Sequence, residues 1–213
     1  MDIIVTAPVA LRATAEAAKL HREELLKRYA PAYVQKAAEI ERYAMGKPEI
    51  ACSAKSGARI VSSEKEEAQT GGDVKRRPQS GYSAKDAAQI RQGAKGASEA
   101  ILCREIAEGG IEAALWELAK EHNLGLRAEL RDIPIRQETV EVFNTLDLDP
   151  YRLASYGSWL CFADNGAEVL SELRRQGYTE ATVIGYTTKD NKRLLYYSGV
   201  ERYILPPERY LDK

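Results

Sequence analysis

Between Cys103 and Phe162 the chain alternates strand-like and helix-like segments, and this constrains its fold more than any other stretch. A short strand-like run, CREIAE, enters the pair Gly109-Gly110. The pair opens the amphipathic segment IEAALWELAKEH, and the alternating run around GLRAEL follows. An Ile-Pro turn leads into a second helical segment, and the corner at Ser155-x-Gly157 feeds a third strand. Strands alternating with helices at this spacing require helices packed on a sheet. A diglycine between strand and helix also lets backbone amides approach an anion at the positive end of the helix dipole.

The rest of the chain extends this pattern. Asp2 to Thr6 reads as a strand, because Ile3, Ile4 and Val5 are continuous and β-branched. Val9 to Tyr29 is rich in helix formers. Pro31 suits the first turn of another helix through about Met45, and a short helix is expected over 48–54. Strands are expected over 100–106, 124–130, 158–163, 181–187 and 193–197, with Asp190-Asn191 as the turn between the last two. Helices are expected over 84–92, 111–122, 136–146 and 167–176. Leu115, Trp116, Leu118, Leu160, Phe162, Val183 and Ile184 form the expected core. Residues 62–82 are polar and aperiodic, with four acids and four bases between Glu64 and Pro78, and read as a flexible surface loop. IACSAKSGARIV at 50–61 faintly echoes IRQGAKGASEAI at 90–101. The expected class is α/β (α+β): a mixed sheet with helices in three layers.

Several motifs together resemble the C-terminal domain of the aminoimidazole ribonucleotide (AIR) synthase superfamily, nearest its hydrogenase-maturation (carbamoyl dehydratase) branch. The residues are Arg104, Glu105, Gly109 and Gly110, the Ile133-Pro134-Ile135-Arg136 turn, the Leu148-Asp149-Pro150 corner, Gly157, and the closing run VIGYTT with its Pro-Pro tail. Glu105 stands where that family usually has Asp. The resemblance implies a single domain over 1–213 with a flexible insertion at about 57–95. It also implies ATP with magnesium as the cofactor. The family's enzymes carry a preceding domain that holds most of the nucleotide site, and the hydrogenase-maturation members end in a reactive cysteine. This sequence begins where the preceding domain would end and finishes Tyr210-Leu211-Asp212-Lys213. The expectation is a domain that is not catalytic alone, served by a partner protein that supplies the N-terminal-type half or by a second copy of itself.

Composition narrows the field further. A net charge of −1 argues against a dedicated nucleic-acid or membrane-surface binder. No apolar run approaches the roughly 18 residues needed to span a bilayer. Cys52, Cys103 and Cys161 are widely spaced, so the reading is buried single thiols with no disulfide and no metal motif, as in a cytoplasmic protein. His21 and His122 make no catalytic arrangement and read as surface groups. The basic run Lys75-Arg76-Arg77 is short and flanked by acids.

Each candidate residue carries two readings. Gly109 and Gly110 either cradle phosphate or make a tight turn. Arg104 and Glu105 either neutralise phosphate and hold magnesium, or form a strand-end ion pair. Ser155 and Gly157 either give a second backbone approach to the same ligand or simply turn the chain into a strand. Arg136 is an anion ligand or a first-turn residue used against Glu138. Two functions remain open: an AIR synthase-like domain that binds ATP or phosphate through its Gly-Gly loop, and a non-catalytic interaction or self-association domain.

Overall fold

A computed structural model describes residues 1–50 and 100–207 of the chain. The expected helix over 84–92, the loop over 62–82, the insertion at about 57–95 and Cys52 lie outside the described residues.

Seven strands form one sheet: β1 (Asp2–Val5), β2 (Ile101–Glu105), β3 (Gly125–Glu129), β4 (Trp159–Ala163), β5 (Thr182–Thr188), β6 (Arg193–Tyr197) and β7 (Val200–Tyr203). Their order is β2-β4-β1-β5-β3-β6-β7. Every pair is antiparallel except β3 with β6. Among the described residues six α-helices accompany them: α1 (Leu11–Leu20), α2 (Arg22–Leu26), α3 (Pro31–Ala38), α4 (Gly110–Glu121), α5 (Gln137–Leu146) and α6 (Gly166–Arg175).

The alternation of side chains along the central strands divides the core. Ile3, Val5, Leu160 and Phe162 join Ile111, Leu115 and Leu118 of α4 in one cluster. Ile4, Cys161 and Ala163 join Val169 and Leu173 of α6 in another. Because successive strand residues point to opposite faces, α4 and α6 cover opposite faces of the sheet. Helices α1, α2, α3 and α5 meet in a third cluster through Ala18, Leu25, Val34, Ala37 and Val142. This is the expected mixed α/β architecture.

Several expectations need correction. The segment expected as one helix over 9–29 breaks at His21 (φ −102°, ψ 27°), and the bend brings Leu25 and Tyr29 against Val34 and Val142. Residues 48–50 are not helical. Strands β5 and β6 are not hairpin partners, because β3 lies between them and pairs with both. The hairpin is instead β6–β7, closed by Ser198 (φ 52°) and Gly199 (φ 81°). Two successive left-handed residues suit the twist of a tight hairpin. Trp116 and Val183 are half-buried, while Leu115, Leu118, Leu160, Phe162 and Ile184 are buried. Trp116 lies at the margin of α4, where Lys120 and Arg193 stack on its ring at 4.5 and 5.5 Å. Cys103 and Cys161 are opposed in the β2–β4 ladder and joined as a disulfide, so the expectation of separate thiols does not hold for this pair. Among the described residues no helix is long and apolar enough to cross a membrane.

Candidate functional site

The fold brings five of the expected site residues to one end of the sheet. Strand β2 ends at Glu105, Gly109 and Gly110 start α4, and the corner at Ser155–Gly157 precedes β4, the neighbour of β2. Arg104 departs from this group. Its guanidinium lies along α4, bonded to Glu117 and, at 3.2 Å, to Glu121.

The diglycine adopts the conformation that its residue type allows. Gly109 caps α4 at φ 78° and Gly110 follows at φ 67°, both in the left-handed region. The Gly110 N–H donates to the Ala107 carbonyl at 3.1 Å. A β-carbon on Gly110 would lie 2.7 and 2.8 Å from the carbonyl carbon and Cα of Arg152, and closer still to the Tyr151 carbonyl oxygen. The close approach that glycine permits here is therefore made by the 3-10 turn Pro150–Arg152.

The first turn of α4 already holds an anion. The Glu112 side chain is fully buried, and its carboxylate pairs with Arg202 of β7 and Arg152 of the turn. A negative group in this position satisfies the helix dipole, and two guanidiniums offset the cost of burying it. Sequence reasoning passed over Glu112. Its one signal is a carboxylate in the second place of the otherwise apolar run IEAALW, on the face that Ile111 and Leu115 bury.

The second approach is equally occupied. One oxygen of Glu105 accepts the Gly157 N–H at 3.1 Å. Ser155 is buried, and its hydroxyl accepts the N–H of Ala10 at 2.7 Å while donating to the Leu153 carbonyl at 3.2 Å. Ala10 has φ 58°, so this bond holds a non-glycine residue in a left-handed conformation at the start of α1. The Ser155 N–H donates to the Ile106 carbonyl at 2.9 Å, and Ser158 donates to the Pro8 carbonyl at 2.7 Å. Gly157 (φ 88°) sits where a β-carbon would meet the Met45 carbonyl oxygen at 2.8 Å.

Beside this corner lies a shallow depression of about 410 Å³, lined by Arg12, Ala13, Glu16, Glu108, Ala154 and Tyr156. Arg12 pairs with Glu16 at 3.1 Å, and the Tyr156 hydroxyl donates to Glu108 at 2.8 Å. The Glu108 carboxylate, by accepting that bond, holds the Tyr156 hydroxyl above its ordinary pKa. Two carboxylates against one guanidinium make a poor seat for an anion. Arg136 stands apart, paired with Glu180 at 2.8 Å and stacked on Tyr43 at 4.0 Å, and it acts on Glu138 through its charge alone. Glu138 instead takes Lys36. Burial would raise the Glu138 pKa, but the hydrogen bond from Lys36, a bond from its own backbone N–H and the charges of Lys36 and Arg136 hold it below its usual value.

Comparison with known proteins fits this architecture. Residues 43–197 match the family described as AIR synthase related protein, C-terminal domain. A protein of Methanocaldococcus jannaschii named for hydrogenase expression/formation is 32% identical over 100 residues, which cover 46% of this chain and 30% of that protein. The carbamoyl dehydratase HypE of Rhizobium leguminosarum bv. viciae is 32% identical over 101 residues, covering 46% of this chain and 29% of its own length. The chain thus matches under a third of each of these curated relatives. The solved hydrogenase maturation protein HypE in complex with ATP superposes with a TM-score of 0.53 at 14% identity, over 96% of this chain and 50% of that one. At that identity the likeness speaks for the fold. With the family match extending over most of its residues, this chain belongs to the AIR synthase-related family, through that family's C-terminal domain.

Proposed function

We propose that this chain works as an AIR synthase-type C-terminal domain of the hydrogenase-maturation kind that is not catalytic alone, and that its diglycine turn holds the fold together. The observation that carries this reading is the state of Gly110. Its amide is spent on Ala107, and its open side is filled by the Tyr151-Arg152 backbone. The other expected ligands are likewise engaged, Arg104 with Glu117 and Glu121, and Glu105 with Gly157. ATP with magnesium does not fit this arrangement at Gly110, so no phosphoryl chemistry is assigned to the loop. On this reading the domain contributes a packed scaffold, and the groups that engage a nucleotide come from a partner protein or from a second copy.

A second reading keeps ATP or phosphate at Gly109, which is half-exposed at the helix start and belongs to a fold that has been solved with ATP. Calorimetric titration of magnesium-ATP into the purified chain separates the two. The first reading expects no saturable heat below millimolar concentration. Saturation at micromolar ATP would favour the second.

A further inference from the structure

We propose that Cys103 and Cys161 form a reversible thiol–disulfide site, exchanged by small thiols of the glutathione class, which fastens the edge strand leading into the diglycine turn. The argument begins with register. Cys103 and Cys161 face each other directly in the β2–β4 ladder, with Cα atoms 4.2 Å apart. Opposed residues this close are a non-hydrogen-bonded pair, whose side chains approach most nearly. The ladder itself therefore holds the two sulfurs together, in either redox state.

The surroundings differ between the two sulfurs. Cys161 is fully buried among Ile4, Ala163 and Val169. Cys103 lies on a strand that is half-buried at every position and that stands at one edge of the sheet among the described residues. Thiol–disulfide exchange starts at the sulfur that a thiolate can reach. The external thiolate attacks Cys103 Sγ, and the Sγ–Sγ bond breaks. Its electron pair leaves on Cys161 Sγ, which takes a proton. A second thiolate attacks the external sulfur of the mixed disulfide and releases the Cys103 thiolate together with oxidised small thiol. The reverse sequence consumes one small-molecule disulfide and returns two thiols.

The location gives the bond a consequence. Among the described residues strand β2 pairs with β4, and the disulfide, the Arg104 pairs to α4 and the Glu105 contact to Gly157 also hold it. A cross-link limits the open states of the strand it holds. Reduction would loosen β2, and with it the approach to Gly109-Gly110.

The test uses the full chain with Cys52→Ser, so that only this pair titrates. The protein is equilibrated with mixtures of reduced and oxidised glutathione, quenched, alkylated and weighed. Three results are expected: a two-electron transition within the range of the mixtures, glutathione attached at Cys103 as the intermediate, and an unchanged circular dichroism spectrum. Amides of residues 101–105 should exchange at least about tenfold faster in the reduced protein. Cys161→Ala should match the reduced rate, and the reduced parent supplies the same comparison should that variant fail to fold. A pair that stays dithiol in the most oxidising mixture would overturn the proposal. So would a disulfide that yields only on unfolding, or equal exchange of β2 in the two states.

Discussion

A methyl group placed on Gly110 would have no space to enter. At φ 67° an L side chain is disfavoured whatever surrounds it, and the new carbon would press on backbone atoms of Tyr151 and Arg152 at 2.8 Å or less. Backbone cannot rotate away as a flexible side chain can. The left-handed conformation costs roughly 1–2 kcal/mol, and overpacking against fixed neighbours costs about 1–3 kcal/mol. Gly110→Ala should therefore lose about 2–5 kcal/mol, against the ~1 kcal/mol of an unencumbered turn glycine. Gly109→Ala meets only the Ala113 side chain, at 2.7 Å, and should lose less. Urea denaturation followed by circular dichroism measures both variants. A Gly110→Ala protein within about 0.5 kcal/mol of the parent would refute the packed-turn reasoning, because strain and clash together exceed that by several fold.

Other consequences are open to measurement. Arg202→Ala removes one of the guanidiniums paired with the buried Glu112 and should cost about 1–3 kcal/mol, since a buried carboxylate tolerates partial pairing poorly; a loss near zero would show that the remaining partners of Glu112 suffice. Burial, aided by the charges of Glu138 and Glu141 and by Tyr29, pushes the Tyr33 pKa up to about 12, and its buried hydroxyl has no hydrogen-bond partner among the described residues. The raised pKa contributes stability that is complete below the ordinary tyrosine value of 10.0 and lost as pH rises toward 12. Tyr33→Phe should remove that alkaline loss while leaving stability at neutral pH unchanged or up to about 1 kcal/mol higher; a fall at neutral pH would contradict it. Leu115→Ala, in the fully buried centre of α4, should cost about 2–5 kcal/mol in the same urea assay; a loss below about 0.5 kcal/mol would mean that the site closes over the deleted atoms.

The sequence carried most of the elements because their signals are local. The apolar period over IEAALWELA, Pro31 at a helix start and the alternation in GLRAEL each specify an element without help from distant residues. What it left out is long-range. Nothing in residues 181–197 says that β3 will lie between β5 and β6, because that arrangement is set by pairing with residues more than fifty positions earlier. The opposition of Cys103 and Cys161 follows from a register 58 residues apart in sequence. At the candidate site, the motif residues were legible as types, and five of them do gather at one end of the sheet. Their partners were not legible. Tyr151 and Arg152 beside Gly110, Ala10 on Ser155, and Arg202 on Glu112 all arrive through tertiary packing, and these partners decide how the loop is used.

The central claim is that the diglycine turn serves packing, with the Gly110 amide held by Ala107, and the Gly109 and Gly110 amide resonances report on it directly. In a ¹⁵N-labelled sample of the full chain, magnesium-ATP is added to millimolar concentration while these two signals are followed. The account predicts that both stay in place, with Gly110 slow to exchange with solvent because its hydrogen is held by Ala107. Saturable movement of both signals at micromolar ATP, with rapid solvent exchange at Gly110 in the free protein, would contradict it.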